Sequence, residues 1–209
     1  MSFKTHRTLL ISLLSIGAVI FVFGVLSLSH DFRRQVRITV QTAEAQLYST
    51  PAQPFPAVPT RDLTPLQKKI ITISKQEYAR KPVSFDSTVL KYSQNTRESW
   101  CADYISWVMK QAGVPLSNPN SGSWRIPGTG TMQDYYTQRH RYVIAGSYQP
   151  QVGDVAIYRH NRSHANIVIA VKGDIMTTVG GNETGHLRVN TQPYKFGAEG
   201  LSGFGTLYP

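Results

Sequence analysis

The hydrophobic period of this chain changes once, near residue 140, and that change limits its possible folds more than any other feature. Before it, apolar residues recur at helical spacing. Thr64 can cap a helix whose first residue is Pro65. Leu66, Ile70, Ile73 and Glu77 then follow one face, with Ile71 beside it, and Lys81-Pro82 closes the run. A second helix is expected from about Thr96 to Ala112, where Cys101, Ile105, Val108, Met109 and Ala112 form an apolar stripe. Asn95 and Glu98 read as a capping-box variant at its start; Gly113 and Pro115 end it. Residues 117–130 form a long Ser/Asn/Pro/Gly loop, followed by a short helix over 131–139. Beyond this the pattern is that of strands: Asp154–Arg159, His164–Val171, Ile175–Val179, His186–Asn190 and Gly205–Tyr208, divided by Gly153, Gly173, Gly180-Gly181 and Gly185. Helices first and antiparallel strands later predict an α+β domain.

Four regions follow along the chain. Residues 1–8 are a short tail, and residues 9–28 form a twenty-residue uncharged run long enough to span a bilayer. Residues 29–63 are a juxtamembrane segment and linker, and residues 64–209 are the folded domain. A cleavable signal peptide is the rival to an uncleaved anchor: Ala43-Glu44-Ala45 has suitable residues, but it stands well beyond the apolar run. Arg33, Arg34 and Arg37 after the span would by themselves hold the C-terminal part inside, against the extracytoplasmic placement that the site chemistry favours. Pro51, Pro54, Pro56 and Pro59 make a semi-rigid spacer.

The formal charge is +10, and residues 60–209 hold seventeen Lys/Arg against ten Asp/Glu, about +7. Such a surface suits an anionic polymer. No basic run, finger spacing or recognition-helix pattern supports nucleic acid, and the oligomeric state is open.

Cys101 is the only cysteine. In an exported chain it cannot form an intramolecular disulfide, so it is a buried small hydrophobe, an intermolecular bridge or a nucleophile. A helix N-terminus and a neighbouring imidazolium can lower a thiol pKa from ~8.5 to ~3.5–7.5. His6 and His30 flank the apolar run, and His140 and His186 read as surface residues. His164 heads the most apolar strand and is the best placed base. His160, four residues earlier, would suggest a metal only on a helix, and this segment reads as a hairpin loop. Neither a metal nor a cofactor is expected.

Four segments resemble the CHAP family (cysteine, histidine-dependent amidohydrolases/peptidases). Trp100-Cys101-Ala102-Asp103-Tyr104-Ile105-Ser106-Trp107-Val108 is similar to its tryptophan-cysteine helix. Pro150-Gln151-Val152-Gly153-Asp154-Val155-Ala156-Ile157-Tyr158 resembles its Pro-x-x-Gly-Asp strand. His164 with Ile167-Val168-Ile169 resembles its histidine strand, and Val179-Gly180-Gly181-Asn182 the strand that supplies a third polar residue. The resemblance covers about residues 64–209. It implies a papain-like fold, Cys101 as nucleophile, His164 as general base and Asn182 as the group that orients the imidazole. Many members carry a glutamate two positions before that asparagine, and here the position is Gly180. Regular alternation points Glu183 away, so it substitutes only if the chain turns sharply. Gln94 or Asn95 could donate to an oxyanion, and Trp100 and Trp124 could wall a cleft. Asp154 reads as a turn-fixing residue.

The expected function is a membrane-anchored peptidoglycan hydrolase, an N-acetylmuramoyl-L-alanine amidase or a peptide endopeptidase, working through a thioester. The alternatives are a catalytically weak or inactive module for wall binding or secretion-apparatus assembly, and an amidase facing the cytoplasm.

Overall fold

The computed structural model describes Phe32, Gln35, Val36 and Thr39, residues 54–159 and residues 163–208. The chain divides into two compact units, Met1–Val40 and Gln41–Pro209. In the first, the four described residues are helical, and Thr39 Oγ1 donates to the Gln35 carbonyl at 2.9 Å. The expected span at 9–28 lies outside the described residues. Among the described residues, no helix is long and apolar enough to cross a membrane.

In the second unit, α1 (Pro65–Ala79) starts as its sequence predicts. Thr64 and Gln67 form a reciprocal capping box, and Pro65 fills the first turn. The single-turn helix α2 (Ser87–Leu90) is capped by Asp86. Then come α3 (Cys101–Ala112) and α4 (Thr129–Gln138). The strands are β1 (Tyr142–Ile144), β2 (Val155–Tyr158), β3 (His164–Lys172), β4 (Ile175–Glu183), β5 (His186–Pro193) and β6 (Leu201–Gly205). They form one antiparallel sheet in the order β1-β6-β2-β3-β4-β5.

Strand alternation divides the core. Val155, Ile157, Ala165, Ile167, Ile169 and Val179 pack with Ile70, Tyr104, Ile105 and Val108 of α1 and α3. Ala156, Tyr158, Val168, Met176, Leu201 and Phe204 form a second cluster. Each buried Val, Leu, Ile, Met or Phe side chain among them contributes about 1.5–3 kcal/mol. The α3 stripe is buried as its period requires, with Cys101 among it.

Several elements differ from expectation. The helix expected from Thr96 begins at Cys101, because Gln94 and Asn95 both have positive φ, 52° and 65°. Asn95 N–H donates to the Leu90 carbonyl, so no capping box forms there, and Glu98 pairs with Arg125 instead. The final strand spans 201–205 rather than 205–208, and its partner β1 was not foreseen. A Cβ at Gly205 would lie 2.2 Å from the Tyr136 ring, so this strand carries glycine where a strand pattern calls for a side chain. The end of the proline segment also lies on this unit. Phe55 meets Tyr78 edge-on, with ring centroids 5.6 Å apart, and packs against the main core.

Candidate active site

Cys101 is the first residue of α3, at the helix end where backbone N–H groups lack intrahelical acceptors. Trp100 occupies the cap position, and no side chain caps this end. The amides beside the sulfur are thus kept for another use, and the helix dipole favours negative charge there.

His164, at the head of β3, sits beside the Cys101 side chain and interacts with it. Its Nε2 lies 2.9 Å from Glu183 Oε1. Burial alone would push the imidazole pKa down. The hydrogen bonds and negative charges of Cys101 and Glu183 outweigh it and raise the value to about 9. At neutral pH the imidazole is therefore cationic. Both His164 and Cys101 are buried, so the pair sits below the surface rather than on it.

Here the structure corrects the expected orienting group. Asn182 does not reach His164; its Oδ1 accepts a hydrogen bond from Ser84 Oγ at 3.3 Å. Glu183 makes the contact instead. The reason is one residue of backbone. Asn182 has φ 59°, in the left-handed region that asparagine tolerates. Pairing of β4 with β5 steps from Gly180↔Arg188 to Glu183↔His186, three residues on one strand against two on the other. This bulge reverses the alternation, so Glu183 takes the direction that residue 182 would have had.

Trp100 also departs from expectation. It is fully buried, stacks on Tyr92 with centroids 5.8 Å apart, and donates from Nε1 to Ser84 Oγ at 2.9 Å. It is a core residue, and Gly181 opposite it has no space for a Cβ, which would lie 2.5 Å from the indole. Trp124 is half-buried on the 117–128 loop with the Lys110 ammonium 4.4 Å from its ring centroid. Gln94 and Asn95 lie exposed on the turn that precedes Trp100.

Sequence reasoning gave no role to the group that anchors that loop. Arg125 Nε–H donates to Asp103 Oδ1 at 2.7 Å, and the guanidinium also meets Glu98. Burial pushes the Asp103 carboxyl up to about 8, and the neighbouring Cys101 charge adds to it; Arg125 is the counter-charge that its ionised form needs. The useful signal was Asp103 itself, a carboxylate on the buried side of an apolar helix, where charges occur only when paired.

Asp154 is structural, as read. Its carboxylate accepts from the Gln151 and Leu207 amides and from Tyr148 Oη. His186 begins β5, and His160 lies outside the described residues, as do His6 and His30. Among the described residues, no cluster of three or more His, Cys, Asp or Glu could hold a metal.

A thiol at a helix N-terminus, an imidazole from the adjoining strand and a carboxylate behind it are groups with which a thiol nucleophile can be activated. Residues 92–182 match the family model of the CHAP domain. Two solved structures resemble the fold: one titled "The crystal structure of Ly7917" (15% identity, TM-score 0.45, 68% of this chain and 62% of that one), and one titled "The crystal structure of Ly7917 with the hydrolyzing product of MDP" (14%, 0.42, 66% and 61%). The chain thus spans about three fifths of their length. No curated protein matches.

Proposed function

We propose that this chain is a peptidoglycan hydrolase that cuts an amide bond through a thioester on Cys101. The contact series Cys101–His164–Glu183 at the head of α3 is the observation that carries this reading. The thiolate Sγ attacks the amide carbonyl carbon, and the N–H groups at the start of α3 receive the developing oxyanion. The C–N bond then breaks, and the departing amine takes the proton from the imidazolium. Water next adds to the thioester and gives a proton to the neutral imidazole; the C–S bond breaks and releases a carboxylate. Glu183 holds Nε2 and so fixes the orientation of the ring. Its position favours catalysis over an inactive module, whose motive was the missing side chain at Gly180.

The peptidoglycan substrate rests on the CHAP resemblance and on the basic charge of residues 60–209, which suits an anionic wall. The uncharged run at 9–28 would anchor the chain in the membrane, with the domain on the extracytoplasmic side. To test the reaction, the full-length protein is incubated with peptidoglycan and the fragments are read by mass spectrometry. New amine and carboxyl ends at one bond are expected, and they identify which amide is cut. Equal release by Cys101→Ala would sink the assignment.

A further inference from the structure

Asn166 lies one residue before the paired couple Ile167↔Val179, and so stands across from Gly180. Its Oδ1 would be only 1.7 Å from a Cβ on residue 180, so the asparagine amide occupies the space a side chain there would need. The same amide turns its Nδ2 toward Glu183 Oε1 at 3.1 Å, with Thr178 Oγ1 as its other acceptor at 3.2 Å. From the far side, Asn190 Nδ2 on the edge strand β5 donates to the same Oε1 at 2.9 Å. One carboxylate oxygen therefore meets His164 and two amide donors, one from each strand flanking β4.

We propose that Asn166 and Asn190 are positioning residues, a two-sided amide clamp that fixes the Glu183 carboxylate against His164 in place of a side chain at residue 180. This rests on the reading of Glu183 as the group that orients His164. The bulge at Asn182 only turns Glu183 to the correct side; a glutamate has three rotatable bonds and needs donors to select one direction. Both amide orientations follow from charge, since an amide oxygen facing the carboxylate would repel it. The groups around the imidazole are Cys101 from α3, Glu183 from β4 and the Tyr158 ring from β2, 6.1 Å away between centroids.

The test uses the full-length protein and the pH profile of Cys101 alkylation by iodoacetamide, which needs no peptidoglycan. In Asn166→Ala/Asn190→Ala, alkylation at pH 6 should slow about tenfold, which corresponds to a displacement of the profile by about one pH unit. Thr178→Val removes the other partner of Asn166 and should leave the profile unchanged. Asn166→Asp, of nearly the same shape, should be worse than Asn166→Ala above pH 7, because it sets a second carboxylate beside Glu183. A space-filling role would rank these two the other way. If Asn166 variants do not fold, Asn190→Ala, half-buried on the edge strand, decides alone by the same displacement. An unaltered profile in the folded variants, or Asn166→Asp milder than Asn166→Ala, overturns the clamp. Failure to hydrolyse peptidoglycan with the profile displaced would count against the hydrolase reading and not against the clamp.

Discussion

Replacing Glu183 by Gln keeps the shape behind His164 and removes the charge, and its cost should depend on pH in a defined direction. His164 is held at about 9 against an ordinary 6.5. At ~1.4 kcal/mol per pH unit, the folded state favours the imidazolium by about 3 kcal/mol. Burial acts against this, while hydrogen bonds and charges from Cys101 and Glu183 act for it. Glu183 supplies one of the two partners, so its loss should remove about half of the effect or more, ~1.5 kcal/mol at least. The sign follows from the raised pKa. This stability is complete below pH 6.5, is lost as pH rises through about 9, and is absent above that. Urea unfolding of the full-length wild type and Glu183→Gln should therefore show a gap at pH 6 that narrows by ~1.5 kcal/mol or more at pH 9.5. A gap that is equal at the two pH values, or wider at pH 9.5, refutes the proposed coupling of His164 to Glu183.

Two further changes probe the frame around the site. Arg125→Ala removes the counter-charge of a fully buried carboxylate and should destabilise the fold by about 3 kcal/mol, more at pH 9 than at pH 5, because protonated Asp103 needs no counter-charge. Urea titration at the two pH values measures it, and a loss independent of pH would contradict the pairing. Gly181→Ala places a methyl 2.5 Å from the Trp100 ring and should cost about 1–3 kcal/mol, read as a lowered urea midpoint with unchanged slope. An unaltered midpoint would show that Trp100 is free to move.

The sequence disclosed the parts of this site that obey a period. Cys101, Ile105, Val108, Met109 and Ala112 share one face of α3 because 3.6 residues make a turn, and all five are buried. His164 was legible because an apolar strand of period two runs directly from it. What stayed hidden depends on single backbone angles. Gln94 and Asn95, both with positive φ, end the upstream turn and delay the helix to Cys101, and no hydrophobic pattern records that. Trp100 next to the thiol invites a cleft role, yet its depth follows from Ser84 and Tyr92, which reach it from an earlier loop and from the turn after α2. Arg125 comes from a loop of Ser, Asn, Pro and Gly whose path has no period at all.

The third group shows how small the missing information was. Alternation along Gly180-Gly181-Asn182 sends residue 182 toward the imidazole and residue 183 away. One left-handed residue at Asn182 exchanges them, and the following Thr184 and Gly185, with φ 50° and 83°, continue the same tight turn. Asn-Glu-Thr-Gly is a turn-forming run, so the sequence carries the signal, but strand alternation over the preceding residues points the other way. The same geometry explains Gly180. A glutamate there would compete with Asn166 for one volume, and Asn166 is already committed to Glu183. The site therefore has two mutually exclusive solutions: a side chain at 180, or an asparagine at 166 with the carboxylate supplied from 183. This chain has taken the second, so Gly180 belongs to the orienting machinery and is not a gap in it.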